Sequence, residues 1–258
     1  MTMFFNELDL LDLKIKEESP YVDKIVVVES KWTHSGNPKP LNFPWEKYKN
    51  NNKIIYLVIY DETLYKDCKK GPEGSFHSRA EVERNLPQSA IPIASNDFVI
   101  VADLDEIVKG DQIERIIKEA AKFGHVRLKM EMYYYYINTY ANIWTEAFCA
   151  TGWLCSKYSF HHLRLRGEGP IIPNCGKHFS YLGSADTIKY KLQSFSHTEL
   201  NTPEIINGIQ ERLDRLTDPA GKFLESPLTI TEIDESYPKT IRDNISEWQK
   251  YIHKKGDA

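Results

Sequence analysis

The sequence predicts an α/β fold in which a mainly parallel central sheet is flanked by helices. Short runs rich in β-branched residues, which are typical of buried strands, occupy positions 24–29, 53–59 and 98–103. Apolar residues recur at helical spacing between these runs, and a helix is the usual connection between neighbouring parallel strands. After residue 137 the pattern is interrupted by Gly, Pro and aromatic residues. We therefore expect a small antiparallel portion there.

The first half of the chain is predicted to alternate strands with helices. Residues 4–6 end a first strand, and the apolar residues of 8–15 then recur with the spacing of one helix face. A helix over 78–86 is expected to end before Pro87, because proline lacks the amide that an interior helical position needs.

The next helix, over 112–123, is expected to begin with Asp111 as its N-cap, and a long extended run follows over 125–136. Loops and antiparallel strands are expected over 137–182. Further helices are predicted over 184–194, 203–216 and 241–253.

The composition of the 258 residues is that of a soluble enzyme. A net charge of −4 with 27% charged residues gives no sign of nucleic-acid binding. No apolar run reaches the roughly 18 residues that suggest a membrane span, and the N-terminus lacks the features of a signal peptide. We therefore expect a cytoplasmic protein with four free thiols, although a Cys149–Cys155 link stays open.

The most informative motif is Asp103-Leu104-Asp105-Glu106, which directly follows the predicted strand over 98–102. Ligands of open α/β sheets bind beyond the carboxyl ends of the strands. Carboxylate oxygens suit Mg²⁺ or Mn²⁺, which commonly complete their coordination with substrate phosphates. The motif therefore predicts a metal-dependent enzyme acting on a diphosphate-bearing substrate. The alternative is a helix whose first turn carries acidic residues.

Several cationic residues are candidates for binding phosphate. Lys39 lies in a Gly- and Pro-containing loop and can reach a phosphate as a point charge, or it is a surface lysine. Arg84 suits a diphosphate, whereas Arg79 and Glu83, four residues apart on the same predicted helix, suit an ion pair.

Histidines supply further candidates. His178 and His197 are possible additional metal ligands, or structural residues. The stretch from 160 to 166, Phe-His-His-Leu-Arg-Leu-Arg, alternates in polarity. It is interpreted as a half-exposed strand with the arginines on one face, which is either a solvated face or a binding surface for an anionic group.

In order along the chain, these segments resemble glycosyltransferase family 17, whose members include β-1,4-mannosyl-glycoprotein 4-β-N-acetylglucosaminyltransferase. The resemblance spans residues of about 4–200. It is carried by Phe4-Phe5-Asn6-Glu7-Leu8-Asp9-Leu10-Leu11, Val27-Val28-Glu29-Ser30, Ser35-Gly36-Asn37-Pro38-Lys39-Pro40, Arg79 with Arg84-Asn85, Asp103-Leu104-Asp105-Glu106-Ile107, Tyr133-Tyr134-Tyr135, Gly176-Lys177-His178-Phe179-Ser180-Tyr181 and Lys191 with Ser194-Phe195-Ser196-His197. The sequence departs from the family pattern at Glu83, Val108 and Lys177, where Gln, Pro and Trp are usual.

The resemblance implies a GT-A fold and inverting transfer of a sugar, with UDP-GlcNAc the expected donor and a glycan hydroxyl the acceptor. It implies one catalytic domain over 1–233, with a nucleotide-sugar half (1–136) and an acceptor half (137–233), and a charged helical tail over 234–258. The absence of a membrane anchor and stem points to a bacterial-type or viral soluble version, with a glycan other than the eukaryotic N-glycan core as acceptor. The oligomeric state is left open.

The resemblance also assigns roles to residues. Mn²⁺ or Mg²⁺ is expected to bind Asp103 and Asp105, with His178 or His197 as a further ligand. The donor is expected to contact Asn6, Glu29, Lys39, Arg79, Arg84, Asn85 and Asp103.

Direct displacement also needs a general base on the acceptor hydroxyl. The candidates are Asp186, Glu146 and Glu131, and the alternative role of Asp186 is to complement a helix dipole behind a Ser184 N-cap.

Two other functions compete with sugar transfer. A phosphatase of the haloacid dehalogenase type also has two aspartates after a strand, but there the motif follows the first strand, whereas here it follows the fourth. A non-catalytic glycan-binding or scaffold protein with the same fold is the second alternative, and the intact acidic pair argues against it.

Overall fold

The computed structural model describes residues 1–69, 77–222, 224 and 226–254. These residues include the strands β1 (Thr2–Met3), β2 (Ile25–Ser30), β3 (Ile54–Ile59), β4 (Phe98–Val101), β5 (Glu106–Val108), β6 (His125–Tyr134), β7 (Thr139–Trp144), β8 (Phe148–Thr151), β9 (Ile171–Ser180) and β10 (Thr229–Ile230). They also include the helices α1 (Leu8–Glu18), α2 (Trp45–Tyr48), α3 (His77–Ala90), α4 (Ile113–Phe123), α5 (Gly152–Cys155), α6 (Phe160–Arg166), α7 (Ala185–Ser194), α8 (Pro203–Asn207), α9 (Ile209–Asp214) and α10 (Lys239–Asp243).

The strands form two sheets. The first has the order β1-β2-β3 and is parallel throughout. The second is mixed: β10, β7, β6, β8 and β4 pair antiparallel in that order, while β9 pairs antiparallel with β5 and parallel with β6. The α/β class is confirmed, but the prediction of one mainly parallel sheet is wrong. The short connection that joins β6 to β7 allows only antiparallel pairing of these two strands, whereas parallel pairing needs a long crossover.

The two sheets meet at the N-terminal strand. The amide of Ala102 donates a hydrogen bond to the carbonyl oxygen of Met1 at 3.2 Å, and that of Phe4 donates to Val28 at 2.8 Å. These bonds link the end of β4 to the edge of the parallel sheet. The acidic motif therefore lies where the two sheets adjoin.

The predicted helices at the N-terminus, before β6 and after β9 are confirmed as α1, α4 and α7. Asp111, however, is not the N-cap of α4: it lies in a 3₁₀ turn that precedes the helix, and the cap position is Gln112, without a side-chain bond. The 3₁₀ turn supplies a backbone acceptor at the start of α4, since the amide of Ile113 donates to the carbonyl oxygen of Gly110.

The helix expected to stop before Pro87 instead continues to Ala90 as α3. The side chain of Gln88 holds this last turn, since it donates to the carbonyl oxygens of Cys155 and Tyr158 and accepts from the amide of Phe160. These tertiary bonds offset the amide that proline lacks.

The helices of the C-terminal part are shorter than predicted. The expected helix over 203–216 divides into α8 and α9 at Gly208. The guanidinium of Arg212 donates to the carbonyl oxygen of Ile205, which a continuous helix would bond with its own backbone. The expected helix over 241–253 is α10 followed by a 3₁₀ segment over Ile245–Tyr251.

The stretch over 160–166, predicted to be a half-exposed strand, is the helix α6. The hydroxyl of Ser159 caps it by accepting from the amide of His162 at 3.1 Å. Phe160, Leu163 and Arg164 form its buried face. Because 160, 163 and 164 follow helical spacing, the polar–apolar alternation of the sequence was misleading.

The segment after residue 234 packs into the core. Tyr237, Ile241 and Trp248 lie in one apolar cluster with Phe4 and Leu11. All four cysteines are free, as predicted, and Cys149 and Cys155 are buried. No helix among the described residues has the length and apolar content that a bilayer crossing requires.

Candidate functional site

The site is built around the tight turn between β4 and β5, which contains the acidic motif. The amide of Glu106 donates to the carbonyl oxygen of Asp103 at 3.0 Å, and the Glu106 carboxylate accepts from the amide of Asp103 at 2.7 Å. This reciprocal pair fixes the turn. It directs the side chains of Asp103 and Asp105 toward different groups of cations.

Two arginines compensate Asp103. Arg164 of α6 donates to its carboxylate at 2.9 Å, and Arg84 of α3 donates at 3.2 Å. Burial raises the pKa of Asp103, but the charges of Arg164 and Arg84 outweigh burial and hold the pKa at about 2. Asp103 is therefore ionised at neutral pH.

Lys191 of α7 and His178 of β9 hold Asp105. The ammonium of Lys191 lies 2.8 Å from Oδ2 of Asp105, and Nε2 of His178 lies 3.4 Å from Oδ1. Burial raises the pKa of Asp105, yet Lys191 and His178 bring it well below its usual range. Lys191 also contacts Glu7 at 3.3 Å, so it bridges the motif and the start of α1.

A buried ionic network supports the motif from behind. Arg164 donates to both carboxylate oxygens of Glu106, at 2.6 and 3.0 Å, and Glu106 is fully buried. The indole of Trp144 donates to the same carboxylate at 2.5 Å, and its ring lies 4.9 Å from that of His178. Because the side chains of Glu106 and Arg164 are both buried, each depends on the other for charge compensation.

The sequence interpretation missed several members of this site. No role is predicted from the sequence for Glu7, Glu106 or Trp144, and Lys191 is named only within a family motif. For Arg164 the sequence favours a solvated face over one that binds an anionic group. Arg164 is in fact buried. A helical interpretation of 160–166 was the one available signal, because it places Arg164 on the same face as Phe160 and Leu163.

His178 and Lys177 point to opposite faces of β9. His178 faces Asp105, whereas Lys177 is paired with Glu131 and donates to Ser236 at 2.8 Å. Successive side chains of a strand alternate between its two faces. The side chains of Lys177 and Glu131 therefore lie on the face of the sheet away from the acidic motif.

The donor chemistry at the motif fits a hard divalent cation. Asp105 offers carboxylate oxygens, and the imidazole Nε2 of His178 lies 3.4 Å from one of them. Both Asp103 and Asp105 are already charge-compensated. A cation at Asp105 must therefore share that carboxylate with Lys191 or displace the ammonium from it.

The predicted donor-binding residues fall into two groups. Glu29 is fully buried, and it accepts from Lys39 at 2.6 Å and from the amides of Asn42 and Phe43. Glu29 and Lys39 thus hold the loop after β2. The backbone amide of Asn6 donates to Glu7 at 3.2 Å, so Asn6 lies beside the residue that contacts Lys191.

The second group lies on α3. Arg84 contacts Asp103, and it also donates to Nδ1 of His161 at 2.9 Å. Burial, followed by the Arg84 charge, lowers the pKa of His161 to about 4, so the neutral ring accepts this bond at pH 7. Asn85 accepts from the amide of His161, and Arg79 lies over the ring of Tyr65, 4.6 Å from its centroid.

The ion pair expected between Arg79 and Glu83 is replaced by other contacts of Glu83. His34 lies 3.1 Å from the Glu83 carboxylate, and the hydroxyl of Tyr65 donates to it at 2.9 Å. These partners come from the loop after β2 and the segment after β3. Glu83 therefore ties α3 to the parallel sheet.

The candidate general bases differ in position. The side chain of Asp186 is 95% exposed, in the first turn of α7 behind the Ser184 cap. Glu146 is 36% exposed and lies 3.4 Å from Nε of Arg164, which contacts Asp103. His197 pairs with Glu199 at 2.7 Å and lies against His77. Glu146 is thus the candidate carboxylate that the structure links directly to the acidic motif.

The match to a known family identifies the class of enzyme to which the chain belongs. Residues 1–213 match the model of glycosyltransferase family 17. Because the match spans most of the chain, the protein belongs to this family and is a glycosyltransferase. The family resemblance carried by the sequence motifs is confirmed. A search of curated proteins found no match.

Solved structures include three with partial similarity to this chain. Bifunctional IspDF from Campylobacter jejuni is 14% identical, with a TM-score of 0.34, and the alignment covers 72% of this chain and 46% of that one. A 4-diphosphocytidyl-2C-methyl-D-erythritol synthase from Anaerococcus prevotii is 11% identical, with a TM-score of 0.36 and coverages of 80% and 86%. Residues 1–349 of S. aureus TarS are 12% identical, with a TM-score of 0.43 and coverages of 83% and 67%. This chain spans about half the length of the IspDF protein.

Proposed function

We propose that this glycosyltransferase is a metal-dependent, inverting enzyme of the GT-A type. It transfers a sugar, expected to be GlcNAc, from a nucleoside diphosphate sugar, expected to be UDP-GlcNAc, to a hydroxyl of a glycan. The observation that carries the proposal is the convergence of Arg84, Arg164 and Lys191 on the ionised pair Asp103 and Asp105. Such a site combines metal-ligating oxygens with cations suited to a diphosphate.

The charge that develops during sugar transfer explains why cations surround the acidic motif. Breaking the bond between sugar and diphosphate develops negative charge on the leaving group, and fixed cations placed there lower the barrier. Asp105 and His178 would hold Mn²⁺ or Mg²⁺, which when bound supplies Lewis-acid stabilisation of the diphosphate. Arg84, held between Asp103 and His161, is oriented toward the same region. Lys191 keeps Asp105 ionised, and its ammonium would share the carboxylate with the bound cation or be displaced by it.

The acceptor hydroxyl needs a base on the side of the sugar opposite the leaving group. Glu146 suits this role better than Asp186 or Glu131, because it is partly exposed and contacts Arg164 of the motif network. Asp186 faces bulk water, and Glu131 is engaged by Lys177 on the other face of the sheet.

Replacing Glu146 with Gln is expected to lower kcat by about 100-fold, since general-base catalysis contributes roughly 10²–10⁴. The KM for the donor should stay close to the wild-type value, because the change leaves the diphosphate contacts intact. Initial rates with saturating donor and varied acceptor give kcat, and rates with saturating acceptor and varied donor give the KM for the donor.

Asp186→Asn is the matched control for Glu146→Gln, and near wild-type rates are expected for it. A large loss in Asp186→Asn with normal turnover in Glu146→Gln would reverse the assignment of the base.

Donor binding tests the proposed function directly. Thermal unfolding would be followed with UDP-, GDP-, dTDP- and CMP-sugars, each with and without Mn²⁺, because a ligand of the native state raises the apparent stability. The largest rise is expected for UDP-GlcNAc with Mn²⁺, and little for the CMP-sugar, which lacks a diphosphate. The absence of a shift with every donor in a well-folded sample would contradict the proposal and favour a non-catalytic, glycan-binding protein.

A further inference from the structure

We propose that His77, His197 and Glu199 form a second cation site, for a transition-metal ion of the zinc class, separate from the acidic motif. One ligand atom from each residue lies within 4.8 Å of the other two. Two imidazoles and one carboxylate are a donor set that suits Zn²⁺ or Co²⁺, whereas Mg²⁺ prefers oxygen ligands alone.

The contacts within the cluster show that the three side chains already converge. Nδ1 of His197 and Oε1 of Glu199 are 2.7 Å apart, and the ring centroids of His77 and His197 are 4.4 Å apart at 81°. A metal ion would replace the proton shared by His197 and Glu199, because ligands bind metals in their deprotonated form.

An unsatisfied oxygen points to a missing ligand. Oε2 of Glu199 has no accessible surface and no hydrogen-bond partner among the described residues. A buried carboxylate oxygen without a partner is costly unless a cation or water compensates it. The rings of His77 and His197 are partly exposed, so an ion from solvent can reach the cluster.

The position of the cluster suggests what the ion does. His77 is the first residue of α3, which carries Arg84, whereas His197 and Glu199 follow α7, which carries Lys191. An ion held by all three would connect the two helices whose cations contact Asp103 and Asp105. Three protein ligands also leave a fourth coordination position, which water or an oxygen of a bound substrate would fill.

Titration of the full chain with Co²⁺ alone tests the proposal, since tetrahedral Co²⁺ has strong visible absorption bands and Zn²⁺ displaces it. The titration would use the Asp105→Asn variant, which lacks the carboxylate proposed to bind the cation at the acidic motif, so that binding there is weakened. One Co²⁺ per chain is expected to bind. Adding His77→Gln or His197→Gln should weaken Co²⁺ binding by at least 10-fold and remove the bands.

His162→Gln is the matched control, because His162 is exposed on α6 and its ring stacks on Tyr158. It should leave Co²⁺ binding unchanged. Metal-free melting of each variant separates loss of the site from loss of the fold. Absence of Co²⁺ binding in Asp105→Asn, or binding unchanged by both His77→Gln and His197→Gln, would overturn the proposal. Neither result depends on sugar transfer, so the site and the proposed reaction are tested independently.

Discussion

Asp105→Asn is expected to reduce sugar transfer by at least about 100-fold, comparable to removing one preorganised electrostatic group from an active site. The carboxylate that would hold the metal ion is lost, and the amide is a far weaker ligand for a hard cation. The fold should survive, because Lys191 keeps its contact with Glu7 at 3.3 Å. The measurement is transfer from UDP-GlcNAc with Mn²⁺ varied from substoichiometric to saturating levels.

Asp111→Asn is the matched control, since Asp111 is an exposed aspartate whose nearest cation, Lys109, lies 4.0 Å away. Full activity is expected for it. If Asp105→Asn turns over like the wild type while folded, Asp105 does not bind the catalytic metal. If Asp105→Asn has low activity that high Mn²⁺ restores, the metal site is confirmed as weakened.

Arg164→Met should have the largest effect on stability, lowering the free energy of unfolding by about 3–5 kcal/mol. Methionine fills much of the same space but leaves Glu106, which is fully buried, without its cation. Asp103 and Glu146 lose the same partner. Urea unfolding at pH 7 measures the difference in the free energy of unfolding between Arg164→Met and the wild type. Equal m-values for the two proteins would show that both unfold by the same transition.

Arg166→Met, two residues further along α6 and exposed, is the control, and a change below about 0.5 kcal/mol is expected for it. Adding Glu106→Gln to Arg164→Met should recover part of the loss, because the buried charge is then removed as well. Equal stability of Arg164→Met and Arg166→Met would show that the network contributes nothing to folding.

Local sequence patterns were sufficient to predict the strands and helices whose apolar residues follow a clear strand or helix spacing. The apolar runs of β2, β3 and β4 and the helical spacing of α1 and α4 each depend on residues close together in the chain. The Ser184 cap of α7 was also predictable from the sequence, because its partner, the amide of Thr187, lies three residues away. At Pro87 the prediction was wrong because a distant contact decided the outcome, since Gln88 reaches residues near 155–160. Over 160–166 it was wrong because two local patterns, alternation and helical spacing, competed.

The sequence by itself determined that this chain is an α/β glycosyltransferase of family 17, and that Asp103 and Asp105 follow a strand. Only the tertiary structure decided that the second sheet is mixed, that Arg164 is buried against Glu106, and that Lys191 meets Asp105. The physical reason is that charge compensation and strand pairing join residues separated by tens of positions. Burial and the length of the connections determine which of these residues pair, and a local sequence pattern carries no information about either.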